Sequence, residues 1–117
     1  MRRPLVLVLL LLGGCATARP DLRDPWHVAA IGAGAADLGT THAALQSPGV
    51  TEANPIGKLC GDSPGAVVAC GAAIKVAGLA LTAYVEHALE LKGWHKRILW
   101  MLPVGMWGGA AIWNLQF

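Results

Sequence analysis

The sequence predicts an all-α fold: a small bundle of three apolar helices behind a cleaved signal peptide, embedded in a membrane. Three observations carry this. Asp24-Pro25 and Ser63-Pro64 each place a capping residue before a proline, which is how helices start. Ser47-Pro48-Gly49 and Gly93 punctuate the long apolar segments. No segment alternates apolar with polar residues as a half-buried strand would.

The elements follow in chain order. Residues 1–14 read as the signal peptide: Arg2 and Arg3, an aliphatic run from Leu5 to Leu12, then Gly13-Gly14. The run is too short to span a bilayer, which needs about 20 residues. Leu12-Gly13-Gly14-Cys15 resembles the lipobox of bacterial lipoproteins. That resemblance implies cleavage after Gly14, a covalent lipid (palmitate-type acyl chains) on Cys15, and a place in the cell envelope. Acyl chains contribute about 0.8 kcal/mol per buried methylene, so two or three anchor a chain firmly. No other cofactor is expected. Residues 15–25 form a lipidated tether, and residues 26–117 the three-helix domain.

The first helix is expected from Pro25 to about Gln46. It is rich in glycine and alanine, and Gly32, Ala36 and Thr40 make a small-residue stripe of the kind that packs helices closely in membranes. A polar loop follows to Asp62. The second helix is expected from Pro64 to about Leu91 or Lys92, with Gly93 as its stop. The third, from Ile98 to about Leu115, reads as the most hydrophobic. It carries Trp100, Trp107, Trp113 and a Gly105-xxx-Gly109 pair, with a kink expected at Pro103.

Without residues 1–14 the chain has seven basic and seven acidic residues, so the +2 charge of the precursor belongs to the signal. No basic patch argues for nucleic acid. With Cys15 lipidated, Cys60 and Cys70 remain. An even remainder in an exported protein makes them a candidate disulfide, with two buried thiols as the alternative.

Asp37 and Lys75 are an acid and a base inside apolar helices, and such residues face the bundle interior and pair. On the second helix Lys75, Leu79, Thr82 and Glu86 return to one azimuth, so Glu86 extends the Lys75 stripe. Asn114 lies near the end of the third helix. The functional reading is a relay or a polar pocket; the structural one is an ion pair that fixes helix register. His27, His87 and His95 read as polar residues at helix ends. His42 does not share a helix face with Asp37, and no metal spacing or nucleophile constellation is readable, so no metal and no catalytic residue is expected.

Asp37-Leu38-Gly39-Thr40-Thr41 and Gly49-Val50-Thr51-Glu52-Ala53-Asn54-Pro55 resemble a D-x-x-[ST]-T … E-x-N-P pattern in small uncharacterised bacterial multi-helix membrane proteins. The resemblance covers roughly residues 30–115, with Lys75 and Asn114 as further matches. It implies a multi-helix membrane architecture, attention to Glu52 and Asn54 as polar positions, and no catalysis.

Lipidation puts Cys15 on the periplasmic side. If all three helices span, Cys60 becomes cytoplasmic and Lys92, Lys96 and Arg97 periplasmic, against both the disulfide and the positive-inside tendency. Leaving the Asp37 helix at the interface or outside the core removes both conflicts. The expected function is a lipid-anchored, non-enzymatic envelope protein that binds or stabilises a membrane partner, another protein or a second copy, in contact with the bilayer. The inner membrane is favoured if the helices span; the outer membrane is the other location. The alternative is a minimal transport or proton-relay component using Asp37, Lys75 and Glu86.

Overall fold

The computed structural model describes residues 19–51, 59–61 and 63–117. Cys15, Glu52 and Asn54 lie outside the described residues, as do the signal peptide and the first part of the tether. The fold is all-α: α1 (Pro25–Leu45), α2 (Pro64–Ala88) and α3 (Gly93–Asn114), with no strand among the described residues.

Local chemistry sets the helix starts. The Asp24 carboxylate accepts the Trp26 N–H at 2.9 Å, and the Ser63 hydroxyl accepts the Ala66 N–H at 3.1 Å. Each satisfies one of the unpaired amides of a first turn, and Pro25 and Pro64 have no N–H to satisfy. After α1, Val50 N–H donates to the Ser47 carbonyl at 3.2 Å across Pro48-Gly49. Gly49 has φ of 76°, so this is a turn whose third position demands left-handed backbone.

Two boundaries differ from expectation. The helix α2 ends at Ala88, before Gly93, because Glu90 takes the left-handed conformation with φ of 49°. Leu91 N–H then donates to the Glu86 carbonyl and Glu90 N–H to that of His87, a Schellman closure on a non-glycine residue. Gly93 instead opens α3, which therefore begins a turn earlier than Ile98 and takes in Trp94, His95, Lys96 and Arg97. The helix runs unbroken through a buried Pro103.

The helices α1 and α3 run parallel, and α2 runs antiparallel to both. His27 meets Trp100 near the starts of α1 and α3, and Thr41 meets Asn114 near their ends. Glu86, late in α2, meets His27, and mid-helix Lys75 meets Asp37. The helix α1 packs most extensively on α3, then on α2; α2 and α3 touch least. The expectation that the Asp37 helix stands outside the core is thus overturned. It contributes His27, Ala30, Gly34, Asp37 and Ala44 to the interior, more buried residues than either partner. Its small residues let both neighbours approach.

The packing face also differs from the Gly32, Ala36, Thr40 stripe. Gly32 and Ala36 are exposed, and a Cβ at Gly32 would meet nothing within 4 Å. Gly34 does the packing: a Cβ there would lie 3.2 Å from the Trp107 ring, while one at Gly78 on α2 would lie 3.4 Å from the same ring. The indole of α3 fills a slot between two glycines. Gly105 and Gly109 face open space.

Candidate functional site

The polar groups of the interior form two clusters. The first joins all three helices near their middle and far ends. Lys75 Nζ lies 2.7 Å from Asp37 Oδ2, with both side chains mostly buried. Asp37 Oδ1 accepts from the Thr41 hydroxyl at 3.3 Å and from Asn114 Nδ2 at 3.2 Å. The same Asn114 nitrogen reaches Thr40 and Thr41 hydroxyl oxygens at 3.2 and 2.9 Å. Thr40 in turn donates to the Ala36 carbonyl. Lys75 also lies over the Trp107 ring, 5.4 Å from its centre. A buried carboxylate with one ammonium and two neutral donors is fully satisfied, which is the condition for burying charge without a large penalty.

The second cluster closes the other end of the bundle. The Lys96 ammonium binds Asp24 and also reaches Glu86 at 3.2 Å. His27 is buried and stacks on Trp100 with ring centres 3.9 Å apart. Its Nδ1 accepts the Asp21 N–H at 2.7 Å, which places the ring proton on Nε2. That nitrogen lies 3.1 Å from Glu86 and 3.7 Å from Asp24, close enough for electrostatic attraction but not aligned for a hydrogen bond. Burial alone would raise the Asp24 carboxyl, but hydrogen bonds from Lys96 and Trp26 N–H outweigh it and hold it below its ordinary value. Lys96 is raised, chiefly by its hydrogen bond to Asp24, against the opposing effect of burial.

Asp24, His27 and Glu86 bring three ligand atoms within 4.8 Å of one another. The chemistry does not suit a metal. A ligating histidine donates its second ring N–H outward, whereas His27 Nδ1 accepts one. The cation position between the carboxylates is also filled by Lys96.

Glu86 does not join Asp37 and Lys75. Eleven residues separate it from Lys75, about 16 Å along the helix. The space between the clusters is largely apolar: Ala30, Ala83 and a fully buried Trp100 pack there, flanked by Trp26, Leu79 and Val104. The azimuth shared by Lys75 and Glu86 thus serves two different sites. Cys60 and Cys70 are joined by a disulfide, with Cα atoms 5.5 Å apart, at the loop end.

His27, Asp24 and Lys96 escaped sequence reasoning as site residues. The signal for His27 was its register: residues 27, 30, 34, 37, 41 and 44 follow a three-four spacing that marks one helix face. His87 and His95 are exposed, and His95 stacks on Trp94. His42 bonds to Gln46 on the surface.

No curated protein and no solved structure matches the chain. One family model matches residues 28–116, from just inside α1 to beyond α3. Those residues hold every partner in the Asp37 cluster, whereas Asp24 and His27 precede them. The chain belongs to the family described as a domain of unknown function, DUF5658.

Proposed function

We propose that this chain is a lipid-anchored helical module of the bacterial cell envelope, a non-enzymatic membrane protein that binds or stabilises a partner in the bilayer. The observation that carries this reading is its inside-out polarity. Asp37, Lys75, His27, Glu86 and Asn114 turn inward, while Val76, Leu81, Tyr84, Met101, Leu102, Met106 and Ile112 are exposed. The helix α2 is long and apolar enough to cross a membrane, and only 11% of its apolar stretch is buried. A soluble bundle would reverse this pattern.

Because α1 is a full member of the bundle, the start of α1 and the disulfide lie at opposite ends. Both reach the periplasm if the bundle lies along the periplasmic leaflet rather than crossing it. The outward face of α1 (Gly32, Ala35, Ala36, Gly39) is mostly small, with Val28 as its bulky exposed member, whereas α2 and α3 carry most of the bulky groups that suit lipid. The apolar layer around Trp100 supports a structural role for the ion pairs over a continuous proton relay.

Alkaline extraction of membranes tests the reading. The mature chain, exported behind a conventional signal peptide without Cys15, should stay in the membrane pellet. Release into the soluble fraction would overturn membrane embedding. Mass spectrometry of the native N-terminal peptide should find the acyl chains on Cys15. After reduction, Cys60 should react with impermeant thiol reagents applied to spheroplasts.

A further inference from the structure

We propose that a cavity at the loop end of the bundle binds a neutral amphiphile with a hydroxyl headgroup, of the monoacylglycerol class. The cavity has a volume of about 540 Å³, within the range of small-molecule sites. Four of its polar groups, Asp37, Thr41, Lys75 and Asn114, converge through one ion pair and their hydrogen bonds, and Thr51 is a further polar residue of the lining. The remaining wall is largely apolar, with Ile74, Met106 and Trp113 as its bulky members. That division matches a molecule with one polar end and a hydrocarbon body.

Charge selects the headgroup. Asp37 and Lys75 neutralise each other. An anionic head would stand beside the Asp37 carboxylate, and a cationic one beside the Lys75 ammonium, at low dielectric with no unpaired counter-charge. Hydrogen-bonding capacity points the same way. Asp37 already accepts from three donors, whereas the Lys75 ammonium has three hydrogens and a single carboxylate partner. The Asn114 amide nitrogen is engaged by three oxygens, and its carbonyl oxygen accepts no hydrogen bond from the described residues. The site thus offers a donor and an acceptor side by side, and a hydroxyl answers both. The lipid class rests on the membrane reading above; the site geometry does not.

The test uses the full-length lipidated protein in detergent, titrated with a bromine-labelled monoacylglycerol while tryptophan fluorescence is followed. Trp107 and Trp113 line the cavity and report the quencher. Quenching should saturate, and the bromine-labelled fatty acid of equal chain length should bind about tenfold more weakly at neutral pH. Asn114→Leu should weaken monoacylglycerol binding about tenfold, and Thr41→Val less, with circular dichroism unchanged. If Asn114→Leu fails to fold, Ala110→Leu, which fills the cavity from its wall, should abolish saturation instead. Quenching that never saturates, that is equal in the folded variants, or that is as strong with the fatty acid overturns the proposal. The two readings fail separately. A protein retained by membranes but without saturable quenching loses only the cavity proposal; one released by alkaline extraction yet binding the monoacylglycerol loses only membrane embedding.

Discussion

At the scale of single residues, the bundle depends on how little space α1 occupies. Gly34 and Gly78 leave a slot for the Trp107 indole, and neither side can yield without pressing the ring on the other. Gly32 lies two residues away with open space around it. Gly32→Ala should therefore stabilise the protein by about 1 kcal/mol, the helix-propensity difference. Gly34→Ala should lose that gain and more, since overpacking costs about 1–3 kcal/mol. Chemical unfolding in detergent separates the two; equal effects would refute the slot. The Asp37–Lys75 pair behaves differently. Asp37→Leu leaves a mostly buried ammonium facing an apolar surface, at a cost of about 3–5 kcal/mol. Adding Lys75→Met should restore much of it, because the pair then departs together. A double variant as unstable as the sum of the singles would mean that the two charges do not act as a unit.

At the scale of elements, the junctions hold the stored cost. Glu90 sits in left-handed backbone, which costs a non-glycine residue about 1–2 kcal/mol. Glu90→Gly should raise stability by about 1 kcal/mol, after the greater freedom of glycine in the unfolded chain is deducted, and thermal unfolding would read it. The start of α1 is tied to the start of α3 through Asp24 and Lys96, at the bundle's end and outside its apolar stretches. Asp24 is lower in the folded protein than its ordinary 3.8, so its stabilisation is complete above that value and is lost as pH falls through the depressed one. Lys96 is raised above 10.5, so its contribution is complete below 10.5 and is lost as pH rises through the raised value. Stability should be flat between these limits and fall on both sides. Asp24→Asn should flatten the acid limb and pull the alkaline limb toward lower pH. An unchanged profile would show that the pair contributes nothing.

At the scale of the whole molecule, α1 is the element on which the other two are assembled, since the backbones of α2 and α3 approach each other least and meet mainly through long side chains such as Trp107 and Lys96. The three meet where Ala30 and Ala83 close on Trp100, with Ala30 and Trp100 at 0% exposure. A larger side chain at Ala30 pushes on both partners at once. Ala30→Leu should cost about 1–3 kcal/mol and loosen α2 and α3 in a single cooperative transition. Hydrogen exchange showing only one of them loosened would place the centre of assembly elsewhere. The same layer separates two charge clusters: Asp37 and Lys75 cancel each other, whereas Asp24 and Glu86 share the single ammonium of Lys96 at the bundle's end. The mid-helix pair can sit in a membrane at low cost, because it leaves no net charge in the apolar zone, and the unbalanced carboxylate belongs to the cluster at the bundle's end.

The sequence by itself determined the number of helices, two of the three starts and the presence of one acid and one base in apolar surroundings. These are local properties: a cap satisfies amides within its own turn, proline lacks its own N–H, and a lone charge in an apolar run must find a partner. It did not reveal which face of each helix turns inward. On helices that are apolar all round there is little polar contrast to orient them, so the Gly32 and Gly34 faces looked alike until Trp107 occupied one. Tertiary structure alone decided that α1 is central, that Glu86 belongs with His27 and Lys96 rather than Lys75, and that His27 is buried. Each of those depends on which neighbour lies across the bundle, and no local pattern along a single helix encodes that.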